Sequence, residues 1–168
     1  MSRFNFLLTI GFAFFCLLMA SIIVKQYKGC AAYNETRSYC REARDRSIEI
    51  TRRLVFPYVN DLIERKVPLD RECLTQNKFK RNAPFWGAIA IIERSVDTDP
   101  NLASLSYFER NEYMQERTPA YVIMEMASAL EDLEYGLRHY KDEEVALLLY
   151  SKRDRMEEVL READSWPR

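Results

Sequence analysis

Asp97-Thr98-Asp99-Pro100-Asn101 sets oxygen-bearing side chains at alternate positions, the spacing with which a calcium loop of the EF-hand type begins. The pattern fails at its sixth position, where Leu102 replaces the turn-making glycine. It fails again at its twelfth, where Phe108 replaces the bidentate glutamate. Capping of a backbone N–H by Asp99 accounts for the same residues without an ion. His139 is the only histidine, and neither Glu-x-x-His nor His-Glu-x-x-His occurs, which excludes a bundle di-iron site and a zincin. Near a helix end, its expected role is to complement the helix dipole. No serine stands in a nucleophile elbow.

The four glycines never form Gly-x-Gly, so the dinucleotide fingerprint and the phosphate loop are absent. The four cysteines form no Cys-x-x-Cys pair, which argues against a structural zinc site or a thioredoxin-type redox motif. Cys16 falls in an apolar run and reads as a small packing group. Cys30 and Cys40 lie beyond disulfide reach if the chain between them is helical and within reach if residues 29–37 loop. Cys73 is a third thiol that pairs with either, or with a second chain. Lys78, Lys80 and Arg81 around Phe79 are too few charges for nucleic acid at physiological salt. They read as a solvated or headgroup-facing connector. No catalytic, cofactor-binding or metal-binding residue is assigned, and the chain is expected not to be an enzyme.

The elements that carry these residues begin with a membrane segment. Phe4 to Val24 is uncharged, and as a helix it is about 31 Å long, enough for the ~30 Å hydrocarbon layer. The run exceeds the 7–15 apolar residues usual for a cleaved signal, so retention as a signal anchor is expected. Residues 1–3 form a short leader, 4–24 the transmembrane helix, 25–33 a juxtamembrane segment and 34–168 a helical domain. Lys25, Lys28, Arg37, Arg41 and Arg44 after the span argue by the positive-inside rule for a cytoplasmic domain. The short positive leader argues for export, which is the side expected here. Asn34-Glu35-Thr36 is a glycosylation sequon, and its simpler reading is a helix N-cap just past the membrane.

The chain has 168 residues, 25 Lys and Arg, and 26 Asp and Glu. Residues 34–83 hold 12 basic and 8 acidic groups, residues 84–168 hold 10 and 18. Two faces that neutralise each other inside the fold explain this asymmetry more simply than a partner patch.

Periodicity is helical throughout, and no hairpin turn or alternating strand pattern appears. Cys40, Ala43, Ile50, Leu54, Tyr58 and Leu62 predict a helix over 35–66, bent at Pro57. A short turn over 69–74 precedes the connector, and Asn82 with Pro84 starts a deeply buried helix over 85–95. Ser106 and Glu109 form a capping box for a helix over 107–116. Thr118-Pro119 launches a long helix carrying Ile123, Met126, Leu130, Leu133 and Leu137, and Asp142 starts the last one. Tyr107, Tyr113, Tyr121, Tyr135, Tyr140 and Tyr150 either gather in the core or line a partner groove, and inward packing is the outcome expected here.

The predicted fold is all-α: one transmembrane helix, then about five helices ending in an antiparallel pair. The function expected is that of a membrane-tethered interaction protein: a subunit, adaptor or assembly factor acting by binding. Its partners are lipid through residues 4–24 and a protein, not nucleic acid, with homo-oligomerisation an open alternative. A second reading is a ligand-sensing or lipid-handling domain with a pocket among Trp86, Ile91, Met124 and Met126.

Overall fold

The computed structural model describes residues 3–67 and 83–166. Among them there are six helices and no strand: α1 Arg3–Glu64, α2 Ala83–Thr98, α3 Tyr107–Arg117, α4 Ala120–His139, α5 Glu143–Ala146 and α6 Leu149–Ser165. Cys73, the expected turn over 69–74 and the connector around Lys78, Lys80 and Arg81 lie outside the described residues.

Helix α1 has 62 residues and, at 1.5 Å per residue, is about 93 Å long. It contains both the apolar run and the first helix of the domain. The separate start expected at Asn34 is not there. Residues 25–33 are helical and Asn34 lies mid-helix, exposed, with Thr36 of its sequon buried. The physical reason is the lack of a breaker: Lys25, Gln26 and Lys28 are good helix formers, and Gly29 is the only glycine or proline between Lys25 and Pro57. Pro57 is accommodated inside the helix. From Gly11 to Lys28 every side chain of α1 faces outward, including Phe12, Phe14, Leu17 and Ile23. Among the described residues this is one helix long and apolar enough to cross a membrane, and from Gly11 to Val24 none of its residues is buried.

Beyond Lys28 the same helix becomes a wall of the bundle. Gly29, Ala32, Thr36, Cys40, Ala43 and Ser47 recur at intervals of three and four residues, and all are buried. Small side chains there let neighbouring backbones come close. Ser47 and Thr51 satisfy their buried hydroxyls by donating to the carbonyls of Ala43 and Ser47, at 2.6 and 2.8 Å. Farther along, Ile50, Leu54 and Leu62 replace small residues with large ones.

The helix ends in a Schellman turn. Val67 N–H donates to Leu62 O and Lys66 N–H to Ile63 O, both at 3.0 Å. Lys66 occupies the left-handed position with φ 58°, and Val67 is buried, as is Leu62.

Helices α4 and α6 form the antiparallel pair. Lys152 reaches Asp132 and Arg155 reaches Glu125, each at 2.7 Å, so residue numbers rise along one helix as they fall along the other. Ile123, Met126, Ala127, Leu130 and Leu133 of α4 meet Met156, Val159, Leu160 and Ala163 of α6 in the core. The single last helix expected after Asp142 is divided. Leu148 N–H bonds to Val145 O at 3.0 Å, an i to i+3 bond that tightens the chain between α5 and α6. The turn leaves α5 against α1 and buries Ala146 and Leu149 on either side of it.

Helix α6 runs parallel to α1, and charge joins them. Arg46 meets Asp164 at 2.6 Å, Arg53 meets Asp164 at 3.2 Å, and Arg153 meets Glu35 at 3.8 Å. Arg44 pairs with Glu134 of α4. The basic first part and acidic second part of the domain therefore neutralise one another within the fold.

The hydrogen bond from Arg46, followed by the charges of Arg46 and Arg53, holds the Asp164 carboxyl below its ordinary range. A carboxyl lowered by folding stabilises above its unfolded value, about 4, and loses that contribution as pH falls through its folded value. Asp164→Asn should thus melt below the wild type by a constant margin above about pH 5, and the margin should close in stronger acid. Melting curves of both proteins over a pH series provide the check.

Helix α2 lays Phe85, Ala88, Ile89, Ile92 and Val96 on the core, confirming the buried helix expected there. Gly87 is in its interior, and a Cβ added there meets nothing within 4 Å. Gly87→Ala should raise stability by about 1 kcal/mol, because alanine removes backbone freedom from the unfolded chain at no steric cost. A rise of roughly 2–4 °C in melting temperature is expected for a chain of this size.

Candidate functional site

Each run singled out in the sequence has a definite place. Asp99, 1% exposed, receives Arg65 at 2.7 Å, and its other oxygen accepts the Asn101 N–H at 3.0 Å. Asp97 is held by Arg110 at 2.8 Å. The alternate oxygens of the calcium-like run thus point to two different arginines and a backbone turn. Among the described residues no group of three or more His, Cys, Asp or Glu is placed to hold a metal.

His139 is exposed in the last turn of α4, where a positive ring would complement the helix end, and it lies against Tyr135 with ring centroids 4.0 Å apart. Cys30 and Cys40 belong to one uninterrupted helix, and they and Cys16 are free thiols, so the loop that would bridge them does not form. Cys30 donates to Glu143 at 3.2 Å, and that bond, followed by burial, pushes the thiol up.

Several expectations about packing are corrected. None of the six tyrosines placed in the core is buried; Tyr107, Tyr121 and Tyr135 are exposed, and Tyr113, Tyr140 and Tyr150 half-buried. The interior is closed mainly by Leu, Ile, Met and Ala, and the tyrosine that is buried in the core is Tyr39 of α1. Thr118 does not cap α4. Its hydroxyl turns back to Met114 O at 2.7 Å, closing α3, while Pro119 precedes α4 without a side-chain cap. Ser106 and Glu109 do form the capping box of α3.

Of the four residues expected to line a pocket, Met126 and Ile91 are buried and Trp86 packs against the core. Met124 instead lines a groove of about 390 Å³ between α2, α3 and α4. Ile89, Val96 and Ala120 make its buried floor; Met114, Tyr121 and Met124 rise around it, with Tyr107 at the mouth.

Glu93 and Asp97 bring acid to this wall. Glu93 is exposed, and partial desolvation by its neighbours, followed by the charge of Asp97, pushes its carboxyl up. The groove was hard to foresee because its residues come from three helices, and α3, which closes one side, has no buried residue of its own. The signal available was the pairing of Tyr107 and Phe108 at a capped helix start, too polar around it to be core.

The second distinctive place is where the apolar part of α1 meets the domain. Gly29 touches the Glu143 backbone so closely that no side chain fits, and Ile22, Lys25 and Gln26 lie beside Asp142 and Glu143. The α4–α5 turn is therefore level with the end of the apolar run, whereas the groove is at the other end of the bundle, near Tyr58, whose hydroxyl is 3.2 Å from Ser95. Compared with protein-family models, with curated proteins and with solved structures, the chain gives no significant match.

Proposed function

We propose that this chain is a membrane-anchored contact module: a tethered subunit, adaptor or assembly factor that works by presenting a helical bundle to a protein partner. The observation that carries this reading is the single helix α1, apolar and outward-facing from Gly11 to Val24 and with one face buried in the bundle from Gly29 onward. Anchoring a binding surface to the bilayer raises the local concentration of a membrane-associated partner without any added contact. Retention of residues 4–24 as a single-pass signal anchor, with the bundle exported, belongs to the same proposal; the short positive leader supports that orientation.

Two experiments test the reading. The full-length chain should stay with the membrane after alkaline carbonate extraction, and release into the supernatant would contradict the anchor. A photo-crosslinking side chain at Tyr121, in cells making the native amount of protein, should give a discrete adduct that is lost when residues 4–24 are deleted at equal abundance. An undiminished adduct would contradict tethering.

A further inference from the structure

We propose that the groove between α2, α3 and α4 docks a cationic amphipathic helix of the partner protein, a proposal that rests on the contact reading above. The groove has the composition of a binding surface that adapts to its ligand. Met114 and Met124 are unbranched and polarizable, and the aromatic rings of Tyr107 and Tyr121 give large contact area with few rotatable bonds. Beside the groove, Tyr107 stands edge-on to Phe108, 81% exposed, with centroids 5.8 Å apart.

Charge selects the occupant. Asp97 is paired with Arg110, but Glu93 has no ion pair among the described residues and stands against the apolar wall. A neutral occupant would strip water from that carboxylate and return nothing. A lysine or arginine set among apolar side chains would pair with it while its neighbours fill the groove. Residues 84–168, which build the groove, carry 18 acidic and 10 basic side chains and so also attract a basic segment from a distance.

Height above the membrane argues against lipid as the occupant. Tyr58 is beside the groove helix α2, and the run from Val24 to Tyr58 along α1 measures about 50 Å. Five Debye lengths at 0.1 M salt separate the groove from the headgroups when α1 stands upright, at about 10 Å each. A protein segment projecting to that height fits; a headgroup does not.

The test uses the full chain in nanodiscs of neutral phosphatidylcholine, with two labelled helical peptides as probes, one of leucine and lysine and one of leucine and glutamate. The leucine–lysine peptide should bind above empty discs, the leucine–glutamate peptide should not, and added salt should weaken binding. Glu93→Lys and Met124→Asp should each weaken it about tenfold or more. Glu93→Gln, which keeps the shape, should also weaken it yet melt no lower than the wild type, because a carboxyl raised by folding opposes folding when ionised. Equal binding of both peptides, or binding unchanged by Glu93→Lys and Met124→Asp, would overturn the proposal. A wild-type dimer that Glu93→Lys converts to monomer would overturn it in favour of a second copy of this chain. Failure of the peptide arm leaves the span-dependent adduct standing, and loss of span dependence leaves the peptide arm standing.

Discussion

Gly29→Ala should lower the melting temperature of the full-length chain by about 8 °C, the largest effect expected from adding one methyl group. A Cβ at this position overlaps the carbonyl of Glu143 and comes within 2.8 Å of its Cα, so the obstruction is backbone and cannot rotate aside. Either α5 lifts from α1 or the two helices part along their whole contact. Overpacking of this kind costs about 1–3 kcal/mol, and the upper end applies because backbone must move. Gly11→Ala is the internal control: its Cβ meets nothing within 4 Å, so, like Gly87→Ala, it should melt no lower than the wild type. Gly136→Ala should fall between them, since its Cβ meets only the ends of Leu149 and Lys152 side chains, at 2.8 and 2.9 Å. Equal melting of Gly29→Ala and Gly11→Ala would mean that α5 does not rest on α1.

Arg65→Ala should cost about 3 kcal/mol, and Asp99→Asn distinctly less. The asymmetry follows from burial. Asp99 is 1% exposed and receives Arg65 at 2.7 Å, whereas Arg65 is partly exposed and also holds Asp61 at 2.9 Å. Among the described residues, removing the arginine strands a buried carboxylate with only the Asn101 N–H, and removing the acid leaves an arginine that still has water and Asp61. This pair fastens the far end of α1 to the turn after α2, so its loss should also loosen the groove wall. Denaturant titration of both variants in the same lipid provides the measurement. Equal losses would show that the interior at Asp99 is wetter than its exposure indicates.

How much of this was legible in the sequence depends on whether the deciding interactions were local. Capping is local, and Ser106 with Glu109 announced the start of α3 correctly. Helix periodicity is nearly local, so α2 and α4 followed from the spacing of Ile, Leu and Met, and the antiparallel pairing of α4 with α6 from the few residues that join them. The continuity of α1 was missed because Asn34 looks like a cap. A cap forms only where the preceding chain leaves helical geometry, and nothing from Lys25 to Tyr33 forces it to. The tyrosines were misplaced for a different reason: a 3.6-residue period says which residues share a face, not which face the neighbouring helices will cover. The candidate site was the least legible part. Glu93, Met114 and Met124 are brought together by three helices, and no spacing along the chain connects them. The same holds for Gly29, whose small size matters only because Glu143, 114 positions later, settles against it.

One helix runs from the apolar segment into the bundle, so that whatever holds residues 4–24 also holds the domain. Amide hydrogen exchange of the full chain in nanodiscs, read by mass spectrometry across residues 20–40, tests this directly. Backbone hydrogen bonds that continue through Lys25 to Tyr33 predict slow exchange over the whole stretch, with no gap between the span and the buried face that begins at Gly29. Complete exchange of residues 25–33 within seconds, flanked by protection on both sides, would reveal a linker there and contradict the account.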